Sequence, residues 1–294
     1  MRERFMKCRR PSIRSRGIRP PETRGDALRT ARIHSFRLAG TMPPGYIRRA
    51  LRKARVGTEP GPVHMKRRHP IITIEGVAYV RVPVRTHRVT AKDDMVELCD
   101  TYSRPLRQAG DVLFVSEKVC AVTQGRAIPA DRIRVGVLAR LLWRFVRKVP
   151  YGIGLRSPET MQCAIDECGA GRILAAALVG GFTRLLGRRG DFYRIAGPGA
   201  ATIDAHGTSP LQPDCVILGP NDPAGLARRI AEATGLPTAI VDVNDVGGSW
   251  VLGSAGIEDP GRIERILMDN PLGQKDEQTP LGLIRRHNAP NLKH

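Results

Sequence analysis

The sequence predicts a mixed-sheet α/β domain of the α+β type over residues 71–290. Three observations carry this. Short β-branched runs recur along the segment, as in Ile-Ile-Thr-Ile at 71–74 and Val-Ala-Tyr-Val-Arg-Val at 77–82. Between them lie stretches with helical spacing that open on capping residues. Strands and helices mix without a strict strand–helix–strand repeat, which points to a mixed rather than a purely parallel sheet.

Taken in order, 70–76 and 77–82 read as paired strands. Asp93-Asp94 caps a helix to about 106, because Met95, Leu98, Cys99 and Tyr102 fall on one helical face. Gly110-Asp111 turns the chain into a buried strand at 112–116. Residues 135–146 read as a helix with arginines outward. Ser157 as N-cap and Pro158 at the first helical position start another, which Gly169 ends after Cys168. The apolar run 173–182, inside a helix spanning 172–186, suits a core helix. It is too short and too broken by Gly180 and Gly181 to span a membrane. Residues 192–196 read as a strand entering a Gly/Pro/Ala loop, and 215–218 as another strand. Asp222-Pro223 opens a helix that Gly235 stops. Residues 238–242 form a buried strand, 250–252 its hairpin partner, 262–268 a short helix and 281–285 a last strand.

Residues 1–70 differ in kind. They carry 20 Lys+Arg against 4 Asp+Glu, a net of +16, whereas the rest carries 28 against 24, a net of +4. The total of +20 is therefore an N-terminal property, and nucleic-acid binding is not expected of the folded domain. With 4% aromatic residues, a platform for stacking bases is also not expected. The N-terminal stretch is rich in Arg and Pro and poor in periodic hydrophobicity. It reads as a disordered basic tail, as an extension upstream of a working start at Met42 or Met65, or as an RNA- or membrane-binding arm. There is no secretory h-region. The six cysteines form no CxxC pair and read as reduced thiols of a cytoplasmic protein, with a zinc site or a disulfide as the alternatives.

Four polar segments stand at strand ends. Ser116-Glu117-Lys118, continuing to Gln124-Gly125-Arg126, offers cations that could balance phosphate, or else a Glu–Lys pair on a solvated helix start. The loop 195–207 holds Gly197 and Gly199, where a ligand could approach the backbone closely, and then Asp204 and His206. A carboxylate beside such a loop suits Mg²⁺ bound to phosphate, and a tight turn is the alternative. Asp242-Val-Asn244-Asp245, followed by Gly247-Gly248, offers acid and amide oxygens for a hard cation, or a polar hairpin. Residues 269–280 read as a solvated loop. No Walker A, dinucleotide, zincin or nucleophile-elbow motif occurs.

The succession Lys92-Asp93-Asp94, then Gly110-Asp-Val-Leu-Phe-Val-Ser-Glu-Lys-Val, then Gln124-Gly125-Arg126 resembles the opening of the coenzyme F-420:L-glutamate ligases. Their A-G-I/V-D loop is similar to the stretch ending Thr202-Ile203-Asp204. Their P-x-D-P and S-D-T-F-G-R-P-W segments resemble Asn221-Asp-Pro-Ala and Asp242-Val-Asn-Asp-Val-Gly-Gly-Ser-Trp250. Ala255-Gly256-Ile257-Glu258 fits as well. The likeness implies that family's γ-glutamyl ligase fold and a dimer. It also implies its reaction: GTP phosphorylates a carboxylate and an amino acid such as L-glutamate attacks the acyl phosphate, with Mn²⁺ or Mg²⁺ present. On it, Asp204 matches the family's metal-binding loop aspartate, Asn244 and Asp245 fall on the S-D-T pair, and Lys118 matches the S-x-K lysine. With the loop readings above, Asp204, Asp242, Asn244 and Asp245 are the expected metal ligands, Ser116, Lys118, Arg126, Gly197 and Gly199 the expected nucleotide-phosphate site, and Lys118 and Glu117 the expected catalytic residues. The chain departs from the pattern where Asn244 replaces an aspartate, and in 143–190, which has no counterpart. The departures leave open a ligase fold that binds nucleotide or deazaflavin without turnover. A basic RNA-associated protein working through its tail is the other alternative.

Overall fold

The computed structural model describes residues 70–145, 154–188, 190–209, 212–244, 248–273 and 277–287, and of Asn244 only the backbone. The N-terminal readings and the position of Asp245 lie outside the described residues.

The main sheet has six strands: β1 (Ile71–Ile74), β2 (Val77–Val84), β3 (Val112–Ser116), β6 (Thr238–Asn244), β7 (Gly248–Ala255) and β8 (Leu281–Arg286). Their order is β1-β2-β8-β3-β6-β7. Only β3 and β6 run parallel, with Leu113 opposite Thr238 and Ser116 opposite Val241. Every other neighbour is antiparallel. The central parallel pair is apolar through its middle, at 113–115 and 239–241, where both of its faces are covered. One face buries Leu113, Val115 and Ile240 against helices α1 (Met95–Ser103), α2 (Glu117–Thr123) and α8 (Pro223–Thr234). The other buries Phe114, Ala239 and Val241 against α9 (Pro260–Ile266). The mixed sheet expected from the sequence is therefore present.

The remaining helices build a second core around a small sheet of β4 (Ala127–Pro129) and β5 (Cys215–Ile217). They are α3 (Val137–Leu142), α4 (Pro158–Cys168), α5 (Ala170–Leu185), α6 (Asp191–Ala196) and α7 (Pro198–Ala201). Leu155, Met161, Ile173, Ile203 and Val216 fill that core.

Local chemistry fixes the helix starts as expected. The Asp94 carboxylate accepts from the Val96 and Glu97 amides, and Ser157 forms a capping box with Thr160. Asp222 accepts from the Gly225 amide and takes the left-handed region to do so.

Two sequence expectations are corrected. Residues 192–196 are helical, not a strand. Phe192, Tyr193, Ile195 and Ala196 pack into the second core while only Arg194 is exposed, a spacing too short in sequence to separate from an alternating strand. Helix α5 is not a core helix: of its sixteen residues only Ile173 and Ala176 are buried. The five described cysteines are free thiols, four of them buried and Cys168 partly so.

Candidate functional site

Parallel strands deliver their carboxyl ends to one edge of a sheet, and ligands of open α/β sheets bind beyond that edge. Here the edge carries Ser116, Glu117 and Lys118 after β3, and Asp242 near the end of β6. Strand β8 is antiparallel to β3, so the residues that precede it, Gln278, Thr279 and Pro280, arrive at the same edge. The Ser116 amide donates to the Pro280 carbonyl at 2.8 Å. Together with Thr86 and His87 after β2, and Thr208 and Ser209 from the second core, they line a solvent-open cleft.

Lys118 is the centre of the cleft's electrostatics. Its ammonium lies 2.7 Å from the Asp204 carboxylate, and the two side chains keep 33% and 27% of their surface exposed. Burial is the largest single influence on this ammonium and pulls its pKa down. The charge of Asp204 and its hydrogen bond, followed by the charges of Asp242 and Glu117, outweigh burial and hold the group above the ordinary lysine range. Lys118 is therefore a fixed cation here, not a poised nucleophile.

Asp204 is held from both sides. Its amide donates to the Ile217 carbonyl at 2.8 Å, and the Ile217 amide returns a bond to Asp204 at 3.1 Å. Behind it Gly154 packs so closely that a Cβ would stand 2.6 Å from the Ala205 amide nitrogen and 2.7 Å from the Ile203 carbonyl oxygen. The Lys118–Asp204 pair thus joins the main sheet to the second core.

The structure brings together Ser116, Glu117, Lys118, Asp204 and Asp242. It does not bring Arg126, Gly197 or Gly199 to the cleft. Arg126 donates from Nε to the Gly219 carbonyl and pairs with Glu167 at 2.7 Å. Gly197 packs against Arg172, and Gly199 against Cys168 and Glu167, so neither glycine opens onto a ligand. For Asn244 the structure fixes only the backbone, at the last position of β6 opposite Gly248.

At the cleft mouth His87 was not expected. Its Nε2 lies 2.9 Å from Asp93 and its Nδ1 lies 2.8 Å from the Tyr102 hydroxyl. The Thr90 amide, then His87, then the Thr90 hydroxyl hold the Asp93 carboxyl below its usual range. A histidine seven residues ahead of a helix cap was the only available signal in sequence, and it is a weak one.

Among the described residues no group of three His, Cys, Asp or Glu side chains is placed to hold a metal ion. Asp204 and Asp242 both act on one ammonium, so two hard oxygen ligands lie in one neighbourhood. That donor chemistry suits Mg²⁺ or Mn²⁺, since Mg²⁺ takes one or two carboxylates and completes its shell with water and phosphate. Among the described residues no helix is long and apolar enough to cross a membrane. A scan against protein-family models and a search of curated proteins both return no match to this chain.

Proposed function

We propose that the chain is a nucleotide-using amide ligase that joins an amino acid such as L-glutamate to a carboxylate-bearing acceptor. The observation that carries the reading is the Lys118 ammonium fixed at the carboxyl edge of β3 and β6, with Asp204, Asp242 and Glu117 around it. The resemblance of the surrounding motifs to the coenzyme F-420:L-glutamate ligases supplies the reaction class and GTP as co-substrate. In that reaction the acceptor carboxylate attacks the terminal phosphoryl group of GTP, and GDP leaves. The amine of the second substrate then attacks the acyl carbon, loses a proton and expels phosphate. A carboxylate and a triphosphate repel, so a preorganised cation between them lowers the barrier. Lys118 supplies that charge, and the hydroxyls of Ser116 and Ser209 supply donors for phosphate and carboxylate oxygens, while those of Thr208 and Thr279 already donate to the Ala205 and Leu272 carbonyls. A divalent cation held by Asp204 and Asp242 would add charge neutralisation when bound.

The Lys118–Asp204 pair also favours a second reading, in which the cleft binds a nucleotide without turning it over. With Lys118 neutralising Asp204, only part of the acidic charge is left for a metal.

Phosphate release from GTP, measured with a panel of carboxylates and amino acids with and without Mn²⁺, separates the two. Under the ligase reading, release depends on both partners, and Lys118→Met lowers kcat/KM by about a hundredfold or more. Equal turnover by wild type, Lys118→Met and Asp204→Ala would sink the site assignment. Nucleotide binding that survives with no turnover under either metal would favour the second reading.

A further inference from the structure

Among the described residues, helix α5 carries more exposed apolar side chains than any other element. Leu174, Leu178, Val179, Phe182 and Leu185, with Leu186 just past the end, keep between 42% and 86% of their surface exposed. Of the twelve exposed large hydrophobic side chains among the described residues, five lie on this one element and a sixth, Leu186, directly follows it. Leu174, Leu178, Phe182 and Leu185 follow one another at intervals of four, four and three, which aligns them in a single stripe. No acidic residue occurs from Ala170 to Leu186. A helix this apolar on its outer side is ordinarily buried.

Its two central glycines differ. A Cβ on Gly180 would stand 3.0 Å from the Phe192 amide nitrogen, so packing within the chain explains it. Gly181 is exposed, and a Cβ there would meet nothing within 4 Å. A glycine weakens a helix interior, and nothing among the described residues requires this one.

We propose that this face is the contact between two copies of the chain, packed about a two-fold axis with α5 antiparallel to its mate. The bare side chains offer on the order of 700 Å² of apolar surface, close to the roughly 800 Å² per partner of a standard interface. Gly181 lets the two backbones approach. Asp166, at the end of α4, and Arg172 lie by the start of α5, and Arg184 lies by its end, all exposed. Reversing one helix against its mate sets each Asp166 toward an Arg184. A two-fold axis uses the same patch on both copies, so a single self-complementary face suffices.

The test is the mass of the full chain by sedimentation equilibrium at micromolar concentrations. The wild type should weigh twice the 32.3 kDa of one chain, and Leu178→Glu with Phe182→Glu should weigh 32.3 kDa with an unchanged circular dichroism spectrum. A wild type of single mass, or a double variant that keeps the doubled mass, overturns the proposal. Flotation of a single-mass wild type with phosphatidylserine vesicles would show the face takes lipid instead. If the double variant misfolds, Gly181→Cys decides, because the two copies of that position face each other at the axis. Oxidation should yield a disulfide-linked pair, and the absence of one overturns the proposal.

Discussion

Replacing Asp269 by alanine removes the carboxylate that neutralises Arg81. The Arg81 side chain, on β2, has no solvent exposure, and Asp269 keeps 16%. The pairing is bidentate, with the Nη2 bond at 3.0 Å, and Nη1 also donates to the Ile266 carbonyl at 3.0 Å. That carbonyl belongs to the last residue of α9, so Arg81 also caps the helix with a cation where one is favoured. Breaking a buried pair from one side costs about 3–5 kcal/mol, because the surviving charge stays buried. Since Asp269 is partly open to water, the low end applies. About 3 kcal/mol lowers Tm by roughly 6–12 °C in a domain of this size. Replacing both partners, Arg81→Met with Asp269→Leu, removes the uncompensated charge and leaves the Ile266 carbonyl to be satisfied, at about 1 kcal/mol. Thermal and urea unfolding of wild type, Asp269→Ala and the double variant measure all three. The reasoning fails if Asp269→Ala melts with the wild type, or if the double variant is as unstable as the single one.

Two further outcomes follow from packing and burial. Gly253 in β7 faces the start of α8, where an added Cβ would stand 2.5 Å from the Pro223 carbonyl carbon; Gly253→Ala should cost about 1–3 kcal/mol in urea unfolding through overpacking. Burial, then the charges of Asp166, Glu167 and Glu159, push the Cys163 thiol up from 9.0 to about 12. At pH 8 about one native molecule in ten thousand then carries the Cys163 thiolate, so iodoacetamide should label it at least about a hundredfold more slowly than in urea, as peptide mass spectrometry would show. The sign for stability is negative. Between pH 9 and 12 the unfolded thiol ionises while the folded one does not, so this group destabilises the fold progressively as pH rises through that window.

The parts of the fold legible in sequence are those decided locally. Asp94, Ser157 and Asp222 cap helices through bonds to amides two or three residues away, so their signatures survive without tertiary context. The pairing of β7 with β6 is legible for the same reason, being a short hairpin. What sequence does not carry is long-range choice. Nothing local places β8 between β2 and β3, or Asp269 against Arg81, and the segment holding Asp269 accordingly reads as a solvated loop. At the site, Lys118, Asp204 and Asp242 are legible as polar residues at strand ends. Their convergence, and the diversion of Arg126 to Glu167, depend on how the two cores meet. Gly197 and Gly199 mislead because small residues serve close packing within a chain as readily as close approach of a ligand.

The bridge between Lys118 and Asp204 spans a seam rather than sitting inside either core. Any ligand that draws the ammonium toward itself must loosen this ion pair between β3–α2 and the β5 side of the molecule. Occupancy of the cleft would then register at a distance, as faster amide exchange in α4 and α7, while α1 and α8 keep their protection.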